Sequence, residues 1–154
     1  MKLKILLLFF FMTLISSCGF KLASLQNNYN ISEINTKGDK RINYKLKNKI
    51  LNSSKKGNDN LILINISTKK EKNIKEKNIG NEITKYEIII TSNIEFKKIS
   101  ENDFNNFTVI EKGDFNIANK YSDTLNNEKS LISTLVNDLS DEIIQNLSLK
   151  LNDL

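Results

Sequence analysis

The chain has 154 residues, a formal net charge of +5, one cysteine and no histidine. The lack of histidine excludes Ser-His-Asp and Cys-His catalysis and zinc sites with imidazole ligands. The single cysteine, Cys18, excludes a disulfide within the chain. No hydrolase nucleophile motif is present, so the chain is not expected to be an enzyme. A charged fraction of 27% beside 39% hydrophobic residues is typical of a chain that folds.

The basic residues do not predict nucleic-acid binding. Nearly all are lysines interleaved with glutamate and asparagine, and Arg41 is the only arginine. Arginine is the residue preferred for bidentate phosphate recognition. We therefore expect no nucleic acid among the partners.

Residues 1–17 predict a secretory signal peptide. Lys2 and Lys4 precede an apolar run from Ile5 to Met12, and two serines follow Ile15. A basic start, a short apolar segment and small residues before the cleavage point are typical of such a peptide. The run is shorter than the roughly 20 apolar residues of a transmembrane helix. Cleavage removes both lysines and no acidic residue, so the net charge falls from +5 to +3.

The segment Ile15-Ser16-Ser17-Cys18 resembles a bacterial lipobox. That resemblance implies acylation of the Cys18 sulfur and of the new amino terminus. A plain signal peptide with a free thiol is the alternative, but a lone thiol is a liability in an oxidising compartment. Lipoproteins kept at the inner membrane usually carry aspartate after the cysteine, so Gly19 favours the outer membrane. We expect the lipid on Cys18 as anchor, and no cofactor or metal.

The mature chain predicts a lipidated tether over 18–28 and a single domain over 29–154. Residues Tyr29 to Thr36 are predicted as a strand. Gly38-Asp39 ends that strand and offers a helix N-cap. Apolar residues four apart from Ile42 then predict an amphipathic helix over Lys40 to Leu51.

Three strands and a long helix follow. Alternation of apolar and polar residues predicts the strands, and charged residues from Lys69 to Asn81 predict a hairpin connection between the first two. Gly113 is predicted as a bulge in the last strand. A leucine-rich stripe from Leu131 to Leu147 predicts the helix. The predicted strand ranges are Asn60 to Thr68, Ile83 to Lys98 and Phe107 to Tyr121. The helix is predicted to start between Asp123 and Glu128 and to end at about Leu149.

These elements predict an α+β fold in the order β-α-β-β-β-α. Each strand has one apolar face and each helix one apolar stripe. The economical arrangement is a two-layer sandwich, with two helices packed on one face of a four-stranded, mostly antiparallel sheet.

With its Cys18-Gly19-Phe20 start, this layout resembles the LptE-type lipopolysaccharide-assembly lipoproteins. Two stretches inside the domain carry the resemblance. They are Lys85-Tyr86-Glu87-Ile88, and Tyr121-Ser122 followed by Leu125, Glu128 and the stripe from Leu131 to Leu147. The resemblance implies an outer-membrane, lipid-anchored protein that faces the periplasm and lies in the lumen of a β-barrel. The barrel inserts lipopolysaccharide, and the lipoprotein plugs it, helps it to assemble and binds lipopolysaccharide.

Five lysines of the predicted hairpin connection are candidate contacts for lipopolysaccharide phosphates or for the barrel wall. They are Lys69, Lys70, Lys72, Lys75 and Lys77. The structural alternative is a solvated loop in a lysine-rich chain. Tyr86 is expected in the core. The acidic group Asp138, Asp141 and Glu142 is expected on a solvated helix face and not at a metal.

A second function remains open from the sequence. A lipoprotein of the same layout can serve as an auxiliary subunit of another envelope lipid transporter. A complex with an outer-membrane barrel distinguishes the first function from the second.

Overall fold

Four strands and two helices follow one another in the predicted order. The computed structural model describes residues 29–55, 57 and 60–152. The signal peptide, the lipobox and the tether therefore lie outside the described residues. The elements are β1 (Asn30–Gly38), α1 (Lys40–Ser53), β2 (Leu61–Lys77), β3 (Ile83–Lys98), β4 (Asn105–Asn116) and α2 (Tyr121–Asn152).

The strands form one mixed sheet in the order β1-β2-β3-β4. β1 pairs with β2 in parallel, because α1 returns the chain to the end of the sheet where β1 begins. The two later pairings are antiparallel hairpins. α1 contacts β1 and β2, while α2 contacts β3, β4 and α1. The predicted α+β fold with a four-stranded, mostly antiparallel sheet is confirmed.

The core lies between the sheet and the helices. Every second residue of β2 from Ile62 to Thr68 is buried, and so is every second residue of β3 from Ile88 to Phe96. The helices contribute the predicted stripes, including Leu46 from α1 and Leu139 from α2, which are fully buried. The opposite face of the sheet, here called the open face, is covered by no described helix.

A bulge in β1 explains how two isoleucines three residues apart share the core. Ile31 pairs with Ile62 and Glu33 pairs with Leu63, so Ser32 is an extra residue in the ladder. The extra residue restores the phase, and both Ile31 and Ile34 are buried.

A polar junction fixes the end of β1 against β2 and α1. The Asp39 backbone N–H donates to the Thr68 hydroxyl at 3.2 Å, and that hydroxyl donates to Asn43 Oδ1 at 2.8 Å. The Asp39 carboxylate caps α1 by accepting from the backbone N–H groups of Arg41 and Ile42. A Cβ at Gly38 would lie 1.9 Å from the Thr68 carbonyl oxygen, and its φ is +106°, so this close approach requires glycine.

The predicted hairpin connection from Lys69 to Asn81 is wrong. β2 continues to Lys77 and pairs with β3 as far as Ile83, with register shifts around Glu76. A tight turn over residues 78–82 closes the hairpin, with Asn81 at a φ of 62°. The long apolar strand β3 needs a partner along its whole length, and pairing overrides the weak strand propensity of the charged segment.

Two predictions about β4 are also wrong. The ladder with β3 is continuous from Asn105 to Asn116, so Gly113 forms no bulge. Instead a Cβ at Gly113 would come within 2.8 Å of Leu131 Cδ1. The lack of a side chain at Gly113 therefore lets α2 pack closely against β4. β4 ends at Asn116 and not at Tyr121, which instead starts α2 with 77% of its surface exposed.

α2 is the longest element, at 32 residues. Its polar residues lie on the faces beside its apolar stripe. None of the helices in the described residues is long and apolar enough to cross a membrane.

Candidate functional site

The five candidate lysines do not form one patch. They lie in the second half of β2, where side chains alternate between the two faces of the sheet. Lys70 and Lys72 point to the helix side, and Lys69 and Lys75 to the open face. Lys77 follows the register shift, and its ammonium donates to Asn81 Oδ1 in the turn at 3.0 Å.

Lys72 joins the sheet to α2. Its ammonium donates to Glu128 Oε2 at 2.6 Å and lies over the Tyr86 ring, 4.4 Å from the ring centre. The Tyr86 ring stacks on Phe115 with 5.7 Å between their centres and packs against the core, as expected. This lysine is therefore engaged within the domain.

Lys75 links three strands on the open face. Its ammonium donates to Asp114 Oδ1 on β4 at 2.6 Å and lies 3.8 Å from Glu87 on β3. The hydrogen bond to Asp114 raises the pKa of Lys75, so the ammonium stays charged. Lys69 pairs with Glu71 on the same strand at 2.6 Å.

The lysines in the second half of β2 lie on an edge of the sheet, which gives them a structural role. β1 ends at Gly38 opposite Thr68, so among the described strands the segment from Lys69 to Lys77 has a neighbour only on the β3 side. Unpaired strand edges template aggregation, and lysines on the edge oppose it. Edge protection therefore accounts for part of the lysine run.

A cationic cleft lies between the start of α1 and the middle of α2. Its volume is about 330 Å³, and its floor is apolar. Four cations and one carboxylate surround it. The cleft is lined by Arg41 and Lys45 of α1, Lys70 of β2, Lys129 of α2, Asp39, and the floor residues Ile42, Ile132 and Val136.

Contacts between the helices hold the cleft in shape. The Lys45 ammonium donates to Ser133 Oγ at 3.4 Å, and the Lys49 ammonium pairs with Asp141 at 2.9 Å. Lys70 lies 3.7 Å from the Asp39 carboxylate, so the other three cations, Arg41, Lys45 and Lys129, have no carboxylate of their own among the described lining residues. A cationic rim over an apolar floor suits an anionic amphiphile, whose phosphate meets the rim while its chain covers the floor.

Only Lys70 of the cleft was a candidate from the sequence. Arg41 and Lys45 lie one turn apart on α1, whereas Lys129 is distant in the chain, and only the packing of α1 against α2 brings it to them. Each is an ordinary exposed basic residue of a helix, so no pattern in the sequence singles it out.

The two stretches that carry the family resemblance meet in space. Tyr86 of the first stretch and Tyr121, Leu125 and Glu128 of the second line one hollow of about 400 Å³ beside the start of α2. Lys72 completes the hollow through its contacts with Tyr86 and Glu128. Residues that are 35 positions apart in the chain thus belong to one local structure.

The open face is mainly polar and crossed by side-chain hydrogen bonds. Asn35 donates to Asn65 at 3.3 Å, Asn65 donates to Glu95 at 3.5 Å, and Thr108 donates to Asn93 at 2.8 Å. These bonds run across the sheet from β1 to β4. The apolar exceptions include Leu63 and Ile89 and the exposed Leu61 and Ile110.

The acidic residues of α2 face solvent or pair with neighbours. Asp141 pairs with Lys49, while Glu142 and Asp138 lie near Glu111 of β4. Partial burial, followed by the charges of Glu142 and Asp138, raises the pKa of Glu111. Within the part of the chain that the structure describes, no acidic or cysteine cluster has the arrangement of a metal site.

Several solved structures with the same architecture are bacterial lipoproteins. Rare lipoprotein B from Shewanella oneidensis aligns with a TM-score of 0.61 and 13% identity, over 78% of this chain and 97% of its own. An uncharacterized lipoprotein B from Nitrosomonas europaea aligns with a TM-score of 0.56 and 15% identity, over 87% and 93%. The chain shares their fold.

The likeness extends over the whole domain, since more than nine-tenths of each neighbour is matched. No protein-family model matches the chain, and no curated protein matches its sequence. The common feature is therefore the arrangement of elements and not a set of identical residues.

Proposed function

We propose that this protein is an outer-membrane lipoprotein that plugs, and helps to assemble, the β-barrel translocon for lipopolysaccharide. The observation that carries the proposal is the meeting of the two resemblance stretches in the hollow around Tyr86 and Glu128, within a lipoprotein fold. The Cys18 lipid holds the chain at the inner leaflet of the outer membrane. More than one acyl chain gives stable anchoring, whereas one gives only marginal binding.

The open face suits the wall of a hydrated barrel. The interior of such a barrel is polar, and a plug must present polar groups to it. The hydrogen-bonded row of Asn35, Asn65 and Glu95 offers donors and acceptors without requiring an apolar partner. The ion pairs of Lys75 with Glu87 and Asp114 join β2, β3 and β4 on the half of that face nearest the turn over residues 78–82.

The cleft between the helices is the proposed site for lipopolysaccharide. Arg41, Lys45 and Lys129 meet the phosphates of lipid A, Lys70 lines the cleft beside Asp39, and the apolar floor meets an acyl chain. This assignment replaces the five-lysine candidate by a site that shares only Lys70 with it. The protein acts in this function as a binding and assembly partner and not as an enzyme.

A first experiment recovers the tagged, full chain from solubilised outer membranes. A β-barrel recovered in equal amount, and degraded when this chain is depleted, supports the proposal. A chain that emerges alone, or with subunits of an ATP-driven lipid transporter, contradicts it. The second of these outcomes supports the auxiliary-subunit function.

A second experiment tests the cleft with charge-matched variants. The double variant Lys45→Ala/Lys129→Ala should weaken binding of immobilised lipopolysaccharide about 10-fold or more, because two charge-assisted contacts are lost. The control Lys37→Ala/Lys112→Ala removes the same charge from exposed sites elsewhere. Equal effects of the two variants would show that only net charge matters and would exclude the cleft as the site.

A further inference from the structure

Large apolar side chains are exposed at the end of the domain where β2 begins, here called the proximal end. Leu61, Ile99 and Phe104 are 39%, 52% and 45% exposed. The Ile99 backbone N–H donates to the Leu61 carbonyl at 2.9 Å, which joins the start of β2 to the turn between β3 and β4. A shallow groove of about 290 Å³ lies between Leu61 and Ile99.

The helices end at the same place. Lys55, just after α1, donates its backbone N–H to the Tyr29 carbonyl at 3.0 Å. Tyr29 is buried, which raises the pKa of its hydroxyl, and the side chains of Ser53 and Ser148, near the ends of the two helices, lie beside that hydroxyl and partly offset the rise. Because both helices end here, Leu51 and Leu149 also lie at the proximal end, and both are exposed.

Lysines surround this apolar surface. The Lys97 ammonium lies 5.0 Å from the centre of the Phe104 ring, and Lys98 pairs with Glu101 at 3.5 Å. Lys55 and Lys150 lie at the adjoining helix ends, and Asp103 is the other carboxylate of the turn. Lysine stems cover apolar surface while their ammonium groups reach outward, as at a membrane interface.

The described residues begin at this end, with Tyr29. Tyr29 follows Cys18 by eleven residues, a segment that spans about 40 Å at most. The hairpin turn at the opposite, distal end lies about 56 Å away along β2. An anchor on Cys18 therefore keeps the proximal end close to the bilayer, where a high effective concentration makes even weak contacts significant.

We infer that the proximal end docks on the phospholipid surface of the membrane that carries the Cys18 lipid. Ile99 and Phe104 enter the boundary between headgroups and acyl chains, and Lys97 reaches the lipid phosphates. The inference rests on the proposed acylation of Cys18. Docking orients the barrel-free protein with the distal hairpin pointing away from the membrane.

The lack of tryptophan in the chain makes this docking measurable. The full, acylated chain with Phe104→Trp is reconstituted in vesicles of phosphatidylcholine and phosphatidylglycerol with brominated acyl chains. We expect its fluorescence to fall by about half relative to vesicles without bromine, as for a ring at the headgroup boundary. The matched control Ile79→Trp, at an exposed apolar residue of the distal turn, should keep its fluorescence.

Three outcomes would overturn the inference. Equal quenching at both positions would indicate unspecific adsorption, and no quenching at either would show that the proximal end stays in water. If Phe104→Trp were still quenched after an added Ile99→Asp change, the quenching would not depend on the apolar surface of the proximal end. A chain of unacylated mass that is not retained by vesicles would instead remove the proposed function, and this inference with it.

Discussion

Single hydroxyl groups in this domain have opposite roles. The Thr68 hydroxyl joins β1, β2 and α1 by accepting from the Asp39 N–H and donating to the buried Asn43. The Ser92 hydroxyl is also buried, on the core face of β3, but has no hydrogen-bond partner among the described residues. A buried polar group without a partner costs free energy, whereas a satisfied one contributes to stability.

We predict that Thr68→Val lowers the free energy of unfolding by about 1–3 kcal/mol. Valine keeps the shape of the side chain but leaves Asn43 Oδ1 without its donor in a buried position. Urea unfolding followed by circular dichroism measures the change. A loss below about 0.5 kcal/mol would show that the junction relaxes and finds other partners.

Ser92→Ala is predicted to be neutral or to stabilise the domain by up to about 1 kcal/mol. The substitution removes a buried hydroxyl that no described residue satisfies. The same urea titration tests it. A destabilisation above about 1 kcal/mol would mean that an ordered water satisfies this hydroxyl.

At the scale of elements, the sequence predicts best where apolar periodicity is long. β3 runs from Ile83 to Lys98 as predicted, because its alternation continues through the whole strand. β2 was predicted nine residues too short, since its second half carries no apolar alternation. That half is a strand because β3 lies beside it, and a partner distant in sequence leaves no local signal.

The Lys72–Glu128 contact is predicted to hold the start of α2 on the sheet. Lys72→Met keeps the apolar stem but loses the ion pair and the contact with the Tyr86 ring, which should cost about 1–2 kcal/mol. Thermal unfolding of the variant measures this. The control Lys69→Met removes a pair whose lysine is 73% exposed, and should change stability by less than about 0.5 kcal/mol.

Partial burial of Glu111 of β4 beside the acidic residues of α2 lowers the free energy of unfolding by an amount that depends on pH. The raised pKa of Glu111 means that stability falls as pH rises from the ordinary glutamate value through the folded-state value. Glu111→Gln should therefore stabilise the domain at pH 7 by roughly 0.3 kcal/mol, a small effect because the site is largely solvated. Comparing melting temperatures from pH 3 to pH 8 tests this, and a difference that persisted at low pH would contradict it.

At the scale of the whole molecule, architecture was predictable and the candidate site was not. The order of elements and the apolar faces follow from local patterns, so the two-layer sandwich follows from the sequence. The cleft depends on how α1 crosses α2, which sets Lys45 beside Lys129. Exposed lysines carry no periodic signal, and 22 lysines offer many false candidates.

Cys18 is predicted to control membrane attachment without affecting the fold. Cys18→Ser should abolish acylation and move the protein out of the membrane fraction, while the melting temperature of the domain stays unchanged. The core of the described residues begins at Tyr29, eleven residues after Cys18, so we expect the fold to form without the lipid. Mass spectrometry and fractionation measure the first effect, and circular dichroism measures the second. A chain that stays in membranes after this change would need a different anchor.

The parallel pairing of β1 has a mechanical consequence. Tension on residues before Tyr29 pulls β1 along its own axis, past β2, when the rest of the domain is held. The ladder from Asn30 to Gly38 is then loaded in shear, so its hydrogen bonds resist together and do not open one after another. The strand nearest the expected anchor is thus held in the geometry that resists force best. A pull on the lipid would have to break the whole β1–β2 ladder at once before β1 could leave the sheet.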